Sequence, residues 1–288
     1  VGENPAVKVQ RLSSTDGFIV WDLDAATTSA GILRLAPKVL QDGAMLLARS
    51  VTYSFALFGL EQHGGASAGL NSKPEDRDAS LAAFVDEVRP LAETGRLRLA
   101  PGLGANAEHL APLGWEAPDA GLLEAGAIGA AQALGSLEGK TVAVVGSGPV
   151  APAAGEKATA AGAELAEPRF DSQCDILFVA GKAGSLDHTT AASVKAQMVV
   201  PLTPVPVTAR SLAILHRADT VVVPDFLSIA APLLAEHDPE AGDPVERVRQ
   251  TAEGLASEGT GMWMAAALAA EQNLRSWSKE KPFGRPLA

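Results

Sequence analysis

The run Thr141-Val142-Ala143-Val144-Val145 is continuously apolar apart from its first residue and ends on Gly146-Ser147-Gly148. A strand with no polar alternation is buried on both faces, as in the interior of a parallel sheet. Parallel neighbours need crossover segments between them. The chain supplies a matching rhythm, with short apolar runs at 175–179, 197–200 and 220–223 separated by helical or loop segments. This βαβ pattern predicts a doubly wound α/β domain.

Upstream the pattern is mixed. Residues 7–12 alternate, Thr15-Asp16-Gly17 is a turn signal, and 18–23 follow as a second strand. Apolar spacing predicts a helix over 41–58, with Ala44, Leu47, Ala48 and Val51 on one face. A second fits 78–93, with Leu81, Phe84, Val85, Val88 and Leu91 inward. Residues 64–69 read as a glycine-rich break, and 97–101 as a short strand. A small-residue helix at 125–134 leads into the apolar strand, and the tail is helical over 244–255 and 261–276. The expected architecture is two α/β domains around a cleft. The first covers 1–125. The second is a shortened Rossmann-like domain over 126–260.

Composition narrows the function. The chain has 288 residues, 47% of them hydrophobic, and a net charge of −11. An acidic chain of this kind, with pI near 4.9, is a poor partner for nucleic acid or an anionic membrane surface. The best apolar run, 221–235, is interrupted by Pro224, Asp225 and Pro232, so no membrane span is expected. Val1-Gly2-Glu3-Asn4 shows no basic or apolar leader pattern, so no signal peptide is expected. The single cysteine, Cys174, excludes an internal disulfide and fits a reducing, cytoplasmic setting. It leads an expected buried strand, where core packing is its natural role. His188, His216 and His237 are scattered and show no metal-ligand spacing.

The chemistry centres on Gly146, Ser147, Gly148, Pro149, Val150 and Ala151. They follow a strand, open a helix and match G-x-G-x-x-[GA]. Such a turn presents backbone N–H groups to a dinucleotide pyrophosphate, so NAD or NADP is the implied cofactor. The same residues also suit a tight strand-to-helix turn with no ligand. A ribose-binding acid is expected about 20 residues on. Glu167 and Asp171 fall there, with Arg169 between them as a candidate for a 2′-phosphate. All three also read as solvated loop charges. The next strand begins near Cys174, which leaves almost no room for a further helix and strand.

Several landmarks in order carry a resemblance. They are Leu47-Ala48-Arg49-Ser50-Val51-Thr52-Tyr53, Gly59-Leu60, Gly64-Gly65-Ala66, Ala100-Pro101, Gly135-Ser136-Leu137-Glu138-Gly139, the Gly146 loop, Cys174-Asp175-Ile176 and Pro224-Asp225-Phe226-Leu227. Together they make the chain resemble the glutamate/leucine/phenylalanine/valine dehydrogenase family over nearly its whole length, in the style of the leucine and phenylalanine branch. The resemblance implies a substrate and oligomerisation domain over 1–125 completed by the returning segment 261–288, a Rossmann domain, oxidative deamination of an L-amino acid with NAD or NADP, and a homo-oligomer.

The departures fall on the chemistry. Where the family carries two lysines that grip the substrate carboxylate and activate water, this chain has Ser54 and Ser67. Where the family carries an acid–base aspartate after Ala-Pro, it has Gly102. Ile32 replaces a glycine of the family's Gly-Gly-x-Arg segment, near Arg34. The family's asparagines near Pro204 and at Ile229 are also absent. Deamination needs a proton acceptor and a cation for the α-carboxylate, and the triple replacement removes both. The expectation is a scaffold that has lost this reaction and serves as a metabolite-binding, regulatory or partner subunit, with a small-molecule ligand in the cleft. The alternative is changed chemistry in the same cleft, with His63 and His109 as an acid–base pair. Both also read as ordinary surface or hydrogen-bonded histidines. Trp277, Phe283 and the basic tail 279–285 are candidates for packing on another subunit.

Overall fold

The computed structural model describes residues 8–115, 121–280 and 284–288. Val7 and Phe283 lie outside the described residues. The chain divides into two compact units, Val1–Ala117 with Ala270–Pro286, and Pro118–Ala269 with Leu287–Ala288.

The first unit contains β1 (Lys8–Arg11), β2 (Gly17–Trp21), β3 (Thr28–Ala36), α1 (Gln41–Leu57), β4 (His63–Asn71), α2 (Arg77–Glu93), β5 (Leu97–Pro101) and α3 (Ala107–Leu110). Its sheet has the order β1-β2-β4-β3-β5. The hairpin β1–β2 is antiparallel, whereas β4, β3 and β5 run parallel. One face carries Phe18, Val20, Val39, Ala44 and Ala48 on the α1 side. The other buries Ile19, Leu33, Leu35, Ala68 and Leu70 beneath Leu81, Phe84, Val85 and Val88 of α2.

Two central strands differ from the sequence expectation. The glycine-rich break at 64–69 is the middle of β4, and β3 went unread as a strand. The reason is close packing. A Cβ on Gly65 would stand 1.7 Å from the Ala48 carbonyl oxygen, and one on Gly31 would stand 1.6 Å from that of Ala66. Glycine here marks the approach of one backbone to another, which a strand uses as readily as a turn does.

The second unit holds α4 (Leu122–Leu134), β6 (Thr141–Gly146), α5 (Val150–Ala160), β7 (Glu164–Leu165), β8 (Ile176–Ala180), α6 (His188–Ala191), β9 (Met198–Pro201), α7 (Ala209–Arg217), β10 (Val221–Val222), α8 (Asp225–Ser228), α9 (Ala231–His237), α10 (Pro244–Leu255) and the first half of α11 (Met262–Trp277). Its sheet is parallel throughout, in the order β10-β9-β8-β6-β7. This is the expected α/β architecture. The chain leaves β6 to form β7 on one side, then returns to form β8 on the other. The strand order therefore reverses at β6, and ligands of open α/β sheets bind at such a switch point. The second strand, β7, is only two residues long, and β8 follows after a loop with no helix in it.

Cys174 is buried at 6% exposure, and burial pushes its thiol pKa up. Among the described residues no helix is long and apolar enough to cross a membrane.

Candidate functional site

In the first unit, the positions that would carry amino-acid chemistry lie where α1 crosses the sheet. Thr52 accepts a 2.8 Å hydrogen bond from the Gly65 N–H and donates back to the Ala48 carbonyl at 3.3 Å. Two residues on, the Ser54 hydroxyl donates to the Ser50 carbonyl at 3.3 Å. Such i−4 bonding satisfies a hydroxyl on its own helix. Ser67, on β4, donates to the Ile32 carbonyl at 3.2 Å. Both serines are buried, Ser67 completely. Neither replaces a lysine's charge, and both are tied to main-chain carbonyls.

Gly102 shows the sharper change. A Cβ there would meet Ile32 Cγ2 at 2.3 Å and the Leu33 carbonyl oxygen at 2.7 Å. Contacts this short are far inside van der Waals range. Ile32 thus fills the volume that a side chain at position 102 would occupy. Positions 32 and 102, noted separately in the sequence, therefore compete for one space.

The two histidines do not come together. His63 opens β4, opposite Thr28 at the first residue of β3, whereas His109 follows the far end of β5. β5 ends opposite Leu33, five residues along β3 from Thr28, roughly 17 Å at the usual strand rise. His63 Nδ1 lies 2.8 Å from the Glu61 carbonyl, and its ring packs on Phe55 with centroids 5.0 Å apart. His109 belongs to a helix cap. Its Nδ1 accepts from the Asn106 N–H at 3.1 Å, and its own N–H donates to Asn106 Oδ1 at 3.1 Å.

Sequence reasoning missed a buried ion pair next to these residues. Arg49 Nε donates to Asp22 Oδ1 at 2.8 Å and Oδ2 at 2.7 Å, with Nη2 also on Oδ1. Asp22 and Arg49 are 5% and 3% exposed. Arg49 Nη1 reaches the Gly284 carbonyl at 2.8 Å, which ties the C-terminal segment to α1. Tyr53 donates to Glu271 Oε1 at 3.1 Å, and Arg285 Nε donates to the same oxygen at 2.7 Å. Burial, and then Glu271's charge, push the Tyr53 phenol pKa well up. Arg285 holds the Glu271 carboxyl down.

In the second unit, the switch-point crevice is bounded by the ends of β6 and β8. Gly146 (φ +147°) comes so close to β8 that a Cβ would meet the Ala180 oxygen at 2.1 Å. Gly148 (φ +85°) has open space where a Cβ would stand. The loop is exposed, and α5 begins after Pro149 without a side-chain cap. These features fit a phosphate. However, the Ser147 N–H is bonded to the Ala180 oxygen at 3.3 Å, and Pro149 and Pro152 carry no N–H. Gly148, Val150 and Ala151 remain as the donors of this turn. The adenosine side is thinner, because β7 ends after Leu165. Arg169 is committed elsewhere, with Nε and Nη2 on Asp171 at 2.9 and 2.7 Å and Glu167 at 4.0 Å. The hydrogen bond from Arg169 also lowers the Asp171 pKa.

Past β9, Val205 adopts φ +55°, a costly conformation for a β-branched residue. Its N–H donates to the buried Asp225 Oδ2 at 2.8 Å, and Thr203 donates to the Gly181 carbonyl at 2.6 Å. The buried Ser185 Oγ next to Gly181 makes no hydrogen bond to the protein. Strained backbone of this kind gathers at ligand sites. The Pro204–Val205–Pro206 sequence did not disclose it, since a left-handed residue there is normally Gly or Asn. Among the described residues no group of three or more His, Cys, Asp or Glu could hold a metal ion.

No protein-family model and no curated protein matches the chain. Solved structures do. The chain is similar to a hetero-hexameric glutamate dehydrogenase of Thermus thermophilus in a Leu-bound form, at TM-score 0.72 and 21% identity over 93% of this chain and 86% of that one. It is similar to L-tryptophan dehydrogenase of Nostoc punctiforme, at TM-score 0.68 and 18% identity over 93% and 96% of the two chains. A glutamate dehydrogenase of Peptoniphilus asaccharolyticus superposes at TM-score 0.64 and 16% identity over 90% and 86%. The fold is that of the amino-acid dehydrogenases.

Proposed function

We propose that this chain is an amino-acid-dehydrogenase-like scaffold that has lost oxidative deamination and serves as a metabolite-binding, regulatory or partner subunit. The observation that carries the reading is Ile32 filling the space of a side chain at position 102. Deamination needs a group to take the proton from the amine or from water, commonly worth about 10²–10⁴ in rate. It also needs a cation for the α-carboxylate. Gly102 has no side chain to take the proton. Ser54 and Ser67 are neutral, buried and bonded to main-chain oxygens. Restoring one group would not restore the constellation.

A subunit role is supported by the hetero-hexameric assembly of the Thermus thermophilus enzyme, whose form also carries a bound leucine. A homo-oligomer is the simpler assembly, and sedimentation of the purified chain decides between self-association and a dependence on another subunit.

A second reading keeps a nicotinamide nucleotide at Gly146–Ala151, on an enzyme with changed chemistry toward an amino acid or imine. The open φ +85° turn at Gly148 favours it. When bound, such a cofactor supplies hydride transfer. Titration with NADH and NADPH, followed by fluorescence and melting, separates the readings. A ligand that binds only the folded state stabilises it by about 2.7 kcal/mol at a hundred times Kd. A saturable shift, lost in Gly148→Val, supports nucleotide binding. No shift with either nucleotide directs the search to other metabolites.

A further inference from the structure

A doubly wound sheet normally places two helices side by side on one face of its first half, the second helix leading to a third strand. Here that half ends at β7, and only α5 covers the face. Val144 and Leu165 point to the α5 side, as their contacts with Gly155 establish. Beside α5 lies a groove of about 700 Å³, floored by Val144 and Leu165 and walled by Ala151, Gly155, Thr159 and Pro168. Leu165 is 57% exposed although it belongs to a strand. From Ala151 to Thr159 the wall runs about 12 Å at the helical rise, two turns of helix.

The charge in the groove's lining is acidic. Glu156 stands in its wall, and none of its lining residues is Lys or Arg. Glu164 precedes Leu165 and Glu167 precedes Pro168, both exposed. The neighbouring Arg169 is neutralised by Asp171. A second copy of this chain, with net charge −11, is a poor electrostatic match for such a rim.

We infer that this groove docks a single amphipathic helix of a different protein, with an apolar stripe on Leu165 and Val144 and Lys or Arg beside it. The partner helix takes the place of the helix the half-domain lacks. This holds whether or not the Gly146 turn binds a nucleotide.

The test uses the full chain and a labelled peptide of about 14 residues, with Leu at i, i+3, i+4 and i+7 and Lys elsewhere, followed by anisotropy. Saturable binding is expected, weakening as salt rises. Leu165→Asp and Ala160→Arg, both at exposed positions, should each weaken it by about tenfold or more with melting temperature unchanged. A combined Glu156→Gln, Glu164→Gln and Glu167→Gln variant should bind less tightly and with a flatter salt dependence. NADH titration of Leu165→Asp should match the parent, which separates this surface from the nucleotide reading. Three outcomes overturn the inference. One is no saturable binding. Another is equal binding of a peptide with Glu in place of Lys, or binding indifferent to both groove variants. The third is a self-associating parent that Leu165→Asp converts to monomer, which would assign the face to a second copy.

Discussion

Gly102 and Ile32 make a claim that can be measured as a coupling. Gly102→Asp forces a side chain against Ile32 Cγ2 and the Leu33 carbonyl, so it should destabilise the protein by about 1–3 kcal/mol, the usual cost of overpacking. In an Ile32→Ala background part of that cost should vanish, because the Cγ2 clash is gone while the carbonyl contact stays. A double-mutant cycle by denaturant unfolding should give a coupling of at least about 0.5 kcal/mol. Additive costs would mean that Ile32 does not fill the space. The Asp22–Arg49 pair yields a second residue-scale prediction. Both members are buried, so Asp22→Ala leaves an uncompensated guanidinium and should cost about 3–5 kcal/mol. Replacing both with apolar residues of similar size should cost much less, and urea midpoints compare the two.

At the scale of elements, α2 holds the β1–β2 turn through one carboxylate. Glu87 accepts from the Ser13 and Ser14 N–H groups at 2.8 Å each and from both hydroxyls. Burial works against its ionisation, but the Ser14 hydroxyl and these N–H groups outweigh it and hold its pKa at about 2 rather than 4.5. A depressed carboxylate pKa contributes stability that is complete above the unfolded value and lost as pH falls toward the folded one. The stability difference between the parent and Glu87→Gln should therefore be constant above about pH 5 and shrink toward pH 2. A difference that grows in acid would contradict the assignment. Most elements were legible in the sequence. The helices at 41–57 and 77–93 show their apolar spacing, and β6, β8 and β9 show their apolar runs. β3 and β4 were hidden because their glycines serve backbone contact with Ala66 and Ala48, and contacts across the fold leave no local signal.

For the molecule as a whole, the sequence located the candidate chemistry better than it described it. Ser54, Ser67 and Gly102 could be named from order along the chain. That Gly102 and Ile32 share one volume, or that His63 packs on Phe55 while His109 caps α3, depends on contacts that only the fold supplies. The Val205 strain and its Asp225 clamp were invisible for the same reason. The structure keeps the amino-acid-dehydrogenase fold across 93% of its length against two of the solved enzymes, and on the proposed reading this fold no longer deaminates. The most direct test is to mix the purified chain with each common L-amino acid and NAD⁺ or NADP⁺ and follow nicotinamide reduction by absorbance. The account predicts no rate above the protein-free background with any pair. Saturable reduction with any amino acid, abolished by Gly148→Val or by a bulky residue at Ser67, would contradict it.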